Sequence, residues 1–287
     1  MKVAIIGGAG RMGAWFARYF SSKGVLAVLS DTRIKEAGDV AYSTGAEVAR
    51  TNIEAVRDTD VVLVCGPIDK IRDVIMEIAP HMKRGSILVE LSSIKGQAME
   101  AFREIASVGI KPLSIHPLFG PMAESLKDKT IVVVPVVDAD MEAGLARKLF
   151  EEAEIVVSEQ EEHNRVMAIV LSLTYFTNLA FAKILSEEDL FSLKRLSGTT
   201  FTVQLALTES VVSEDLDLVK SLLKENRFTE RYIDRFISEA KAIRRLMSKN
   251  YEGFDKLHNN LKSSLSRDPD YSKADDRRYR AFSALRR

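Results

Sequence analysis

The run LSIHPLFGP at residues 113–121 carries His116, one of four histidines in the chain, between an apolar strand-like segment and a stiff Pro-Leu-Phe-Gly-Pro turn. Imidazole titrates near neutral pH, so a histidine fixed in such a turn suits proton transfer. A strand-end histidine satisfied by a backbone carbonyl is the bland alternative, and taken alone the two readings stand level. A second chemical feature lies at the start of the sequence. Val3-Ala4-Ile5-Ile6 reads as a strand buried on both faces, Gly7-Gly8-Ala9-Gly10 breaks it, and Met12, Trp15, Phe16, Tyr19 and Phe20 then recur at helical spacing. In that strand–turn–helix context Gly8, Gly10 and Gly13 form a dinucleotide-binding pattern: a tight turn, a backbone that a pyrophosphate can approach, and close packing of helix on strand. The helix start offers free N–H groups and a positive dipole end to the phosphates.

The next strand-like run, Val25–Leu29, leads to Asp31, 23 residues after Gly8. A carboxylate near this spacing accepts hydrogen bonds from the adenosine ribose and repels a 2′-phosphate, which favours NAD. Arg33 could neutralise that phosphate, so NADP stays open. The cofactor-binding candidates are Gly8, Gly10, Arg11, Met12 and Gly13 in the first turn, Asp31 and Arg33 after the second strand, and Cys65 and Pro67 after a later one.

These residues need elements to aim them. Strands are expected at Asp60–Cys65, Ser86–Leu91, Lys111–Ile115, Thr130–Val136 and Glu154–Val157, with helices at Ile71–Met82, from Lys95 to about Val108, and around Met141–Phe150. This alternation predicts an α/β fold, a doubly wound Rossmann-type domain over 1–157, in which ligands gather beyond the carboxyl ends of the strands. Cys65-Gly66-Pro67, Ser92-Ser93 and His116-Pro117 all fall at such ends. Beyond Ser158 the pattern is helical: one long helix over Glu159–Leu185, a break at Ser197-Gly198, then Leu205–Val212, Leu216–Lys224 and Thr229–Asn250. An all-helical domain is therefore expected over 158–250, followed at 251–287 by a polar tail or short terminal helix.

Composition bounds the partners. Hydrophobic residues are 46% of the chain, and 41 acidic side chains balance 41 basic ones, so nothing points to nucleic acid or an anionic membrane. The single Cys65 suits a reducing cytoplasm, and Met1-Lys2 runs into VAIIGG with no secretory pattern. The uncharged stretch Val166–Ala182 is 17 residues long and includes Ser172, Thr174, Thr177 and Asn178; it reads as a helix buried on most sides rather than a membrane span. Its own helices or a second subunit must cover it, and two-fold pairing is the common solution.

HPLFGP at 116–121, SSIK at 92–95, GGAGRMG at 7–13 and EHNRVM at 162–167 together resemble the prephenate/arogenate dehydrogenase family, in order, over roughly residues 1–250. HPLFGP is the most specific element. The resemblance implies a nucleotide-binding domain and a helical domain that forms an intertwined homodimer. It also implies oxidative decarboxylation of a small-molecule substrate: hydride leaves C4 of prephenate or arogenate for the nicotinamide, a base takes the hydroxyl proton, and loss of CO₂ gives 4-hydroxyphenylpyruvate or tyrosine. His116 would be the base. Ser93 would hydrogen-bond the same hydroxyl or His116, and Lys95 would be structural or electrostatic. His163 and Tyr175 join His116 and Ser93 as substrate-binding candidates, His163 with a structural role equally open; no metal site is expected.

Two positions depart from the family. Tyr175 stands where a histidine is usual, and Ser210 where an arginine would pair with a substrate carboxylate. Three readings follow: Arg195, Lys194, Arg165 or Arg227 supplies the charge; the substrate is another cyclic or hydroxy acid; or the chain binds nucleotide without turnover.

Overall fold

A computed structural model describes residues 1–249 and 251–286. The chain divides into two compact units, Met1–Met167 and Ala168–Arg287. The first comprises β1 (Lys2–Ile6), α1 (Arg11–Ser22), β2 (Leu26–Ser30), α2 (Ile34–Thr44), β3 (Glu47–Val48), α3 (Asn52–Val56), β4 (Val61–Val64), α4 (Ile71–Ile78), β5 (Ile87–Glu90), α5 (Gly96–Glu104), β6 (Lys111–Pro117), β7 (Thr130–Val133), α6 (Ala139–Leu149), β8 (Glu154–Val157) and α7 (Gln160–Met167). The strands form one sheet in the order β3-β2-β1-β4-β5-β6-β7-β8. Pairing is parallel from β3 to β6, antiparallel between β6 and β7, and parallel again to β8.

The uninterrupted apolar runs are explained by two cores, one on each face. Along β1, Val3 and Ile5 join Phe16, Phe20, Leu63, Leu113 and Phe150 on one side, whereas Ala4 and Ile6 join Val62, Val64, Ile75, Leu88 and Phe102 on the other. Successive side chains of a strand point to opposite faces, so a strand covered by helices on both must be apolar throughout. β3 has only two residues, too few for a strand pattern to be visible.

His116 does not end its strand. β6 continues through Pro117, with His116 opposite Val132 of β7. The segment that follows is tied down at several points. Leu118 N–H donates to Thr130 O at 2.9 Å. The Trp15 indole N–H donates to Ala123 O at 2.6 Å, and its ring lies 5.0 Å from that of Phe119. Leu126 is fully buried. The stiffness behind His116 thus comes from the antiparallel ladder and from α1, as well as from the two prolines.

In the second unit a π-helical segment, Ala168–Leu173, precedes α8 (Thr174–Leu185), α9 (Leu190–Arg195), α10 (Thr199–Val212), α11 (Leu216–Lys224), α12 (Thr229–Lys249), α13 (Tyr251–Leu265) and α14 (Ala274–Leu285). Ser172 Oγ donates to Leu222 O at 2.6 Å, joining the π segment to α11. Asn178 Oδ1 accepts from Gln204 and Thr208, each at 2.8 Å, joining α8 to α10.

Two expectations are corrected here. The polar C-terminal region is not a weakly ordered tail or one short helix: α13 and α14 fill most of it, and α14 packs on α10. Its exposed faces carry i,i+3 and i,i+4 pairs such as Lys256–Glu252 and Arg280–Asp276, so a helix here looks like a solvated charge run in the sequence. The apolar stretch is not buried on most sides either. The helix over Gln160–Leu185 is long and apolar enough to cross a membrane by length and composition, and only 17% of its most apolar window is buried within the chain. Ile169, Val170 and Ile184 on this helix are exposed. The expected helix end at Asn250 and the last residue, Arg287, lie outside the described residues.

Trp15→Phe removes the indole donor to Ala123 while keeping most of the ring. It should cost about 1 kcal/mol in urea denaturation, the usual net worth of one hydrogen bond.

Candidate active site

The glycine turn is built as a pyrophosphate cradle requires. Gly7 has φ +82, in the left-handed region. A Cβ on Gly13 would lie 2.1 Å from Gly7 O, so a side chain is excluded there, and one on Gly10 would be crowded at 3.1 Å from the same oxygen. α1 begins at Arg11 with Gly10 as its N-cap and no side-chain cap, which leaves its first-turn N–H groups facing outward for an anion. The carbonyl of Cys65 packs against Gly7: a Cβ there would fall 2.8 Å from Cys65 O. Cys65 is half-buried and Pro67 exposed just beyond it, so the end of β4 adjoins the turn.

Asp31 is nearly withdrawn from solvent. Its Oδ2 accepts Ala9 N–H at 3.0 Å, and its Oδ1 accepts Arg33 N–H at 2.9 Å and Arg33 Nε at 3.3 Å. The carboxylate therefore braces the glycine turn and is paired with Arg33. A Cβ on Gly10 would sit 3.8 Å from the Arg33 guanidinium, which places that cation over the turn.

At the ends of β5 and β6 the structure assembles a buried polar cluster. Glu90 and Lys95 are both 0% exposed. Lys95 Nζ donates to Glu90 Oε1 at 2.6 Å and to Ile115 O at 2.5 Å. Glu90 also accepts from the Ser114 hydroxyl, and from the N–H and hydroxyl of Ser92 at 2.8 and 2.6 Å. Burial lowers the Lys95 pKa, opposed by the adjacent Glu90 carboxylate.

His116 is 5% exposed, and its Nδ1 lies 3.1 Å from His163 Nε2 on α7. His163 Nδ1 lies 3.3 Å from Asn164 Oδ1, which also accepts Lys95 N–H at 3.3 Å. His116 Nε2 makes no hydrogen bond with any described residue. Burial first, then the Lys95 charge and His163, hold the His116 imidazole well below the ordinary histidine range. Burial and Lys95 push His163 down to about 4. Both shifts favour the neutral ring near neutral pH.

Thus His116, Lys95 and His163 come together, joined by Glu90, Ser114 and Asn164, which the sequence reading passed over. Glu90 left a signal, a carboxylate closing the apolar strand ILVE, where a buried charge needs a partner. Ser93 makes no hydrogen bond to His116 or to any other described residue; its neighbour Ser92 is the one turned into the cluster. Tyr175 is half-buried on α8 and Ser210 is exposed on α10. Among the candidate substitute cations, Lys194 is paired with Glu209 at 2.9 Å, Arg227 lies over the Phe228 ring, and Arg165 and Arg195 are exposed. No group of three or more histidine, cysteine, aspartate or glutamate side chains able to hold a metal occurs among the described residues.

A doubly wound sheet with a glycine turn at its first crossover, followed by a helical unit, defines a two-unit Rossmann-type protein. Residues 16–170 match the family described as the prephenate dehydrogenase nucleotide-binding domain, and residues 159–263 the prephenate dehydrogenase dimerization domain. The chain belongs to the prephenate dehydrogenase family. It is 28% identical over 265 residues to a probable arogenate/prephenate dehydrogenase of Methanocaldococcus jannaschii, covering 90% of this chain but 59% of that protein, so it spans about three-fifths of this relative's length. Its fold is similar to that of prephenate dehydrogenase from A. aeolicus in complex with hydroxyphenyl propionate and NAD+ (TM-score 0.76, 17% identity, 93% of this chain and 98% of that one). It is also similar to Synechocystis arogenate dehydrogenase (TM-score 0.72, 18% identity, 94% and 100%).

The buried neutral histidines link stability to pH. Their pKa values are depressed in the folded state, so the unfolded chain binds more protons between the two values. For His163 that stability is complete above pH 6.5 and is lost as pH falls through about 4. His163→Gln should therefore lose less of its urea midpoint than the parent protein between about pH 7.5 and about pH 5.

Proposed function

We propose that the chain is an NAD-dependent dehydrogenase that oxidatively decarboxylates prephenate or arogenate, yielding 4-hydroxyphenylpyruvate or tyrosine in aromatic amino acid biosynthesis. The observation that carries this reading is His116: a neutral, buried imidazole with one nitrogen held by His163 and the other unengaged. Family membership supplies the reaction class. The names of the similar proteins point to the substrates, and the NAD+ complex of the A. aeolicus protein supports the cofactor.

A nicotinamide cofactor held at the glycine turn by Gly8, Gly10, Gly13 and the start of α1 would supply the acceptor for the hydride from C4. His116 Nε2 takes the C4 hydroxyl proton as that carbon becomes a carbonyl. The bond from C1 to the carboxylate then breaks, CO₂ leaves, and its electron pair completes the aromatic ring. His116 returns the proton to the phenolic oxygen, so no net proton is released. Ser93, whose hydroxyl has no partner within the described chain, contacts the substrate hydroxyl. Lys95 acts without touching substrate: it anchors the end of β6 and keeps His116 neutral. Asp31 favours NAD, with Arg33 drawn into pairing with it rather than left for a 2′-phosphate.

The exposed apolar face of the Gln160–Leu185 helix, together with the dimerization-domain match, supports a homodimer through the helical unit. A cytoplasmic location fits the single free Cys65. A second reading keeps the chemistry but changes the substrate to another cyclic or hydroxy acid. It rests on Ser210, a neutral exposed residue at the position where the resemblance expects an arginine for the substrate carboxylate.

Reduced-nicotinamide formation should follow addition of NAD with prephenate or arogenate. It should fall at least about a hundredfold in His116→Asn, the scale of general-base catalysis. Turnover of neither acid, with turnover of another in a panel of hydroxy acids, would establish the second reading. In a fluorescence titration NAD should bind more tightly than NADP, and Arg33→Ala should weaken NADP further. Equal affinities would remove Asp31 as the discriminator.

A further inference from the structure

His163 and Asn164 lie one turn into α7, 47 and 48 residues after His116, and make no contribution to the chemistry just described except through His116. Their hydrogen bonds nonetheless leave only one arrangement of protons. Lys95 N–H points at the terminal amide of Asn164 at 3.3 Å. A backbone N–H can only donate, so the amide atom facing it is the oxygen and the NH₂ group is turned away. His163 Nδ1 lies 3.3 Å from that same oxygen and must therefore carry its hydrogen. A neutral imidazole has one N–H, so His163 Nε2 is a bare lone pair and can only accept. The atom opposite it, 3.1 Å away, is His116 Nδ1, which must donate. The remaining nitrogen of His116, Nε2, is then the lone-pair nitrogen.

We propose that His163 and Asn164 are positioning residues that fix His116 in its Nδ1–H tautomer, so that Nε2 is always the proton-accepting atom. This rests on the reading of His116 as the base and adds which atom accepts and what sets it. The relay begins at a backbone N–H, which cannot lose its proton, so its polarity is permanent. The group that accepts from His163 is a neutral amide rather than a carboxylate. No negative charge stabilises the imidazolium through the relay, and His116 returns its proton readily. The charged groups around the pair are Lys95 at the head of α5 and Glu90 at the end of β5; Lys95 opposes protonation of both rings and Glu90 favours it at His163.

Three measurements test this. Long-range proton–nitrogen correlation spectra of the nitrogen-15-labelled protein near neutral pH, with the His116 and His163 signals among the four histidines assigned by His116→Asn and His163→Gln, should show Nδ1–H for both. A predominant Nε2–H form of His116 overturns the proposal. In kinetics, His163→Gln presents an amide oxygen where Nε2 stood and should retain most of kcat. His163→Met cannot accept the hydrogen bond in this way and should lose about tenfold or more in kcat with little change in KM. Equal loss in both variants would make His163 a packing residue. Asn164→Asp ends the relay on a negative charge and should move the acid limb of the kcat/KM profile up by about one pH unit; an unmoved limb counts against the relay. The spectrum needs no substrate and no variant beyond those for assignment. If the expected tautomers are seen but His116→Asn stays active, the function reading fails and the relay stands. If His116→Asn is inactive but His116 carries its proton on Nε2, the relay fails and the base remains.

Discussion

Lys95 and Glu90 sit side by side without any contact with water, and the site is assembled around that pair. Withdrawing two ions from solvent costs several kcal/mol each, and their mutual attraction repays it only when their other hydrogen-bonding groups are also satisfied. Here the carboxylate receives the ammonium, two serine hydroxyls and a backbone N–H, while the ammonium also reaches Ile115 O. Those partners come from β5, from the turn after it, from the start of α5 and from β6. The pair therefore acts as a knot among four segments. It can close only when the ends of β5 and β6 are in register and the serine turn takes one particular path.

The knot has an electrostatic consequence next door. Ile115, whose carbonyl accepts from Lys95, immediately precedes His116, so the ammonium that anchors the strand also lies near the imidazole. A cation near a buried ring disfavours a second positive charge, and burial adds to the effect. His116 is thereby biased toward its neutral form at the cost of basicity. In the proposed role this would be a gain, because a histidine that stayed protonated at neutral pH could not take a proton at all. The antiparallel ladder to β7 and the Trp15 contact with Ala123 hold the ring's backbone from the other side. Charge and rigidity are thus supplied by different parts of the sheet.

Much of this was legible in the sequence, for identifiable reasons. The glycine turn, the strand–helix alternation and His116 are local patterns: each is written in a few adjacent residues, and chain geometry converts them into strand ends that converge. The partners of His116 were not legible. His163 is 47 residues away, and only the folded path of α7 brings it to the ring. The choice between Ser92 and Ser93 was equally hidden. Adjacent serines in a turn face different ways according to its backbone path, and here Ser92 turns inward to Glu90 while Ser93 does not. The reversal of β7 went unseen because a four-residue apolar run reads the same in either direction. The apolar helix misled for another reason. A sequence shows that a face must be covered, but does not show whether the same chain covers it.

Asp31 shows how one residue can be read correctly for its position and incompletely for its work. The spacing from Gly8 identified a carboxylate beyond the second strand, where a ribose would be recognised. In the folded chain that carboxylate is nearly buried, and one of its oxygens holds Ala9 N–H of the glycine turn. It is a strut for the turn before it is a reader of any ligand. The other oxygen is occupied by Arg33, so the local charge is a neutralised pair rather than a free anion. A 2′-phosphate arriving here would meet less repulsion than an isolated aspartate would present, and it would have to draw Arg33 away from its partner to gain a strong contact. On the proposed reading, selectivity between the two nicotinamide cofactors would be a competition for one guanidinium. Because the aspartate also braces the turn, a change at Asp31 would loosen that turn as well, whereas the Arg33 side chain donates to the carboxylate without holding the turn itself.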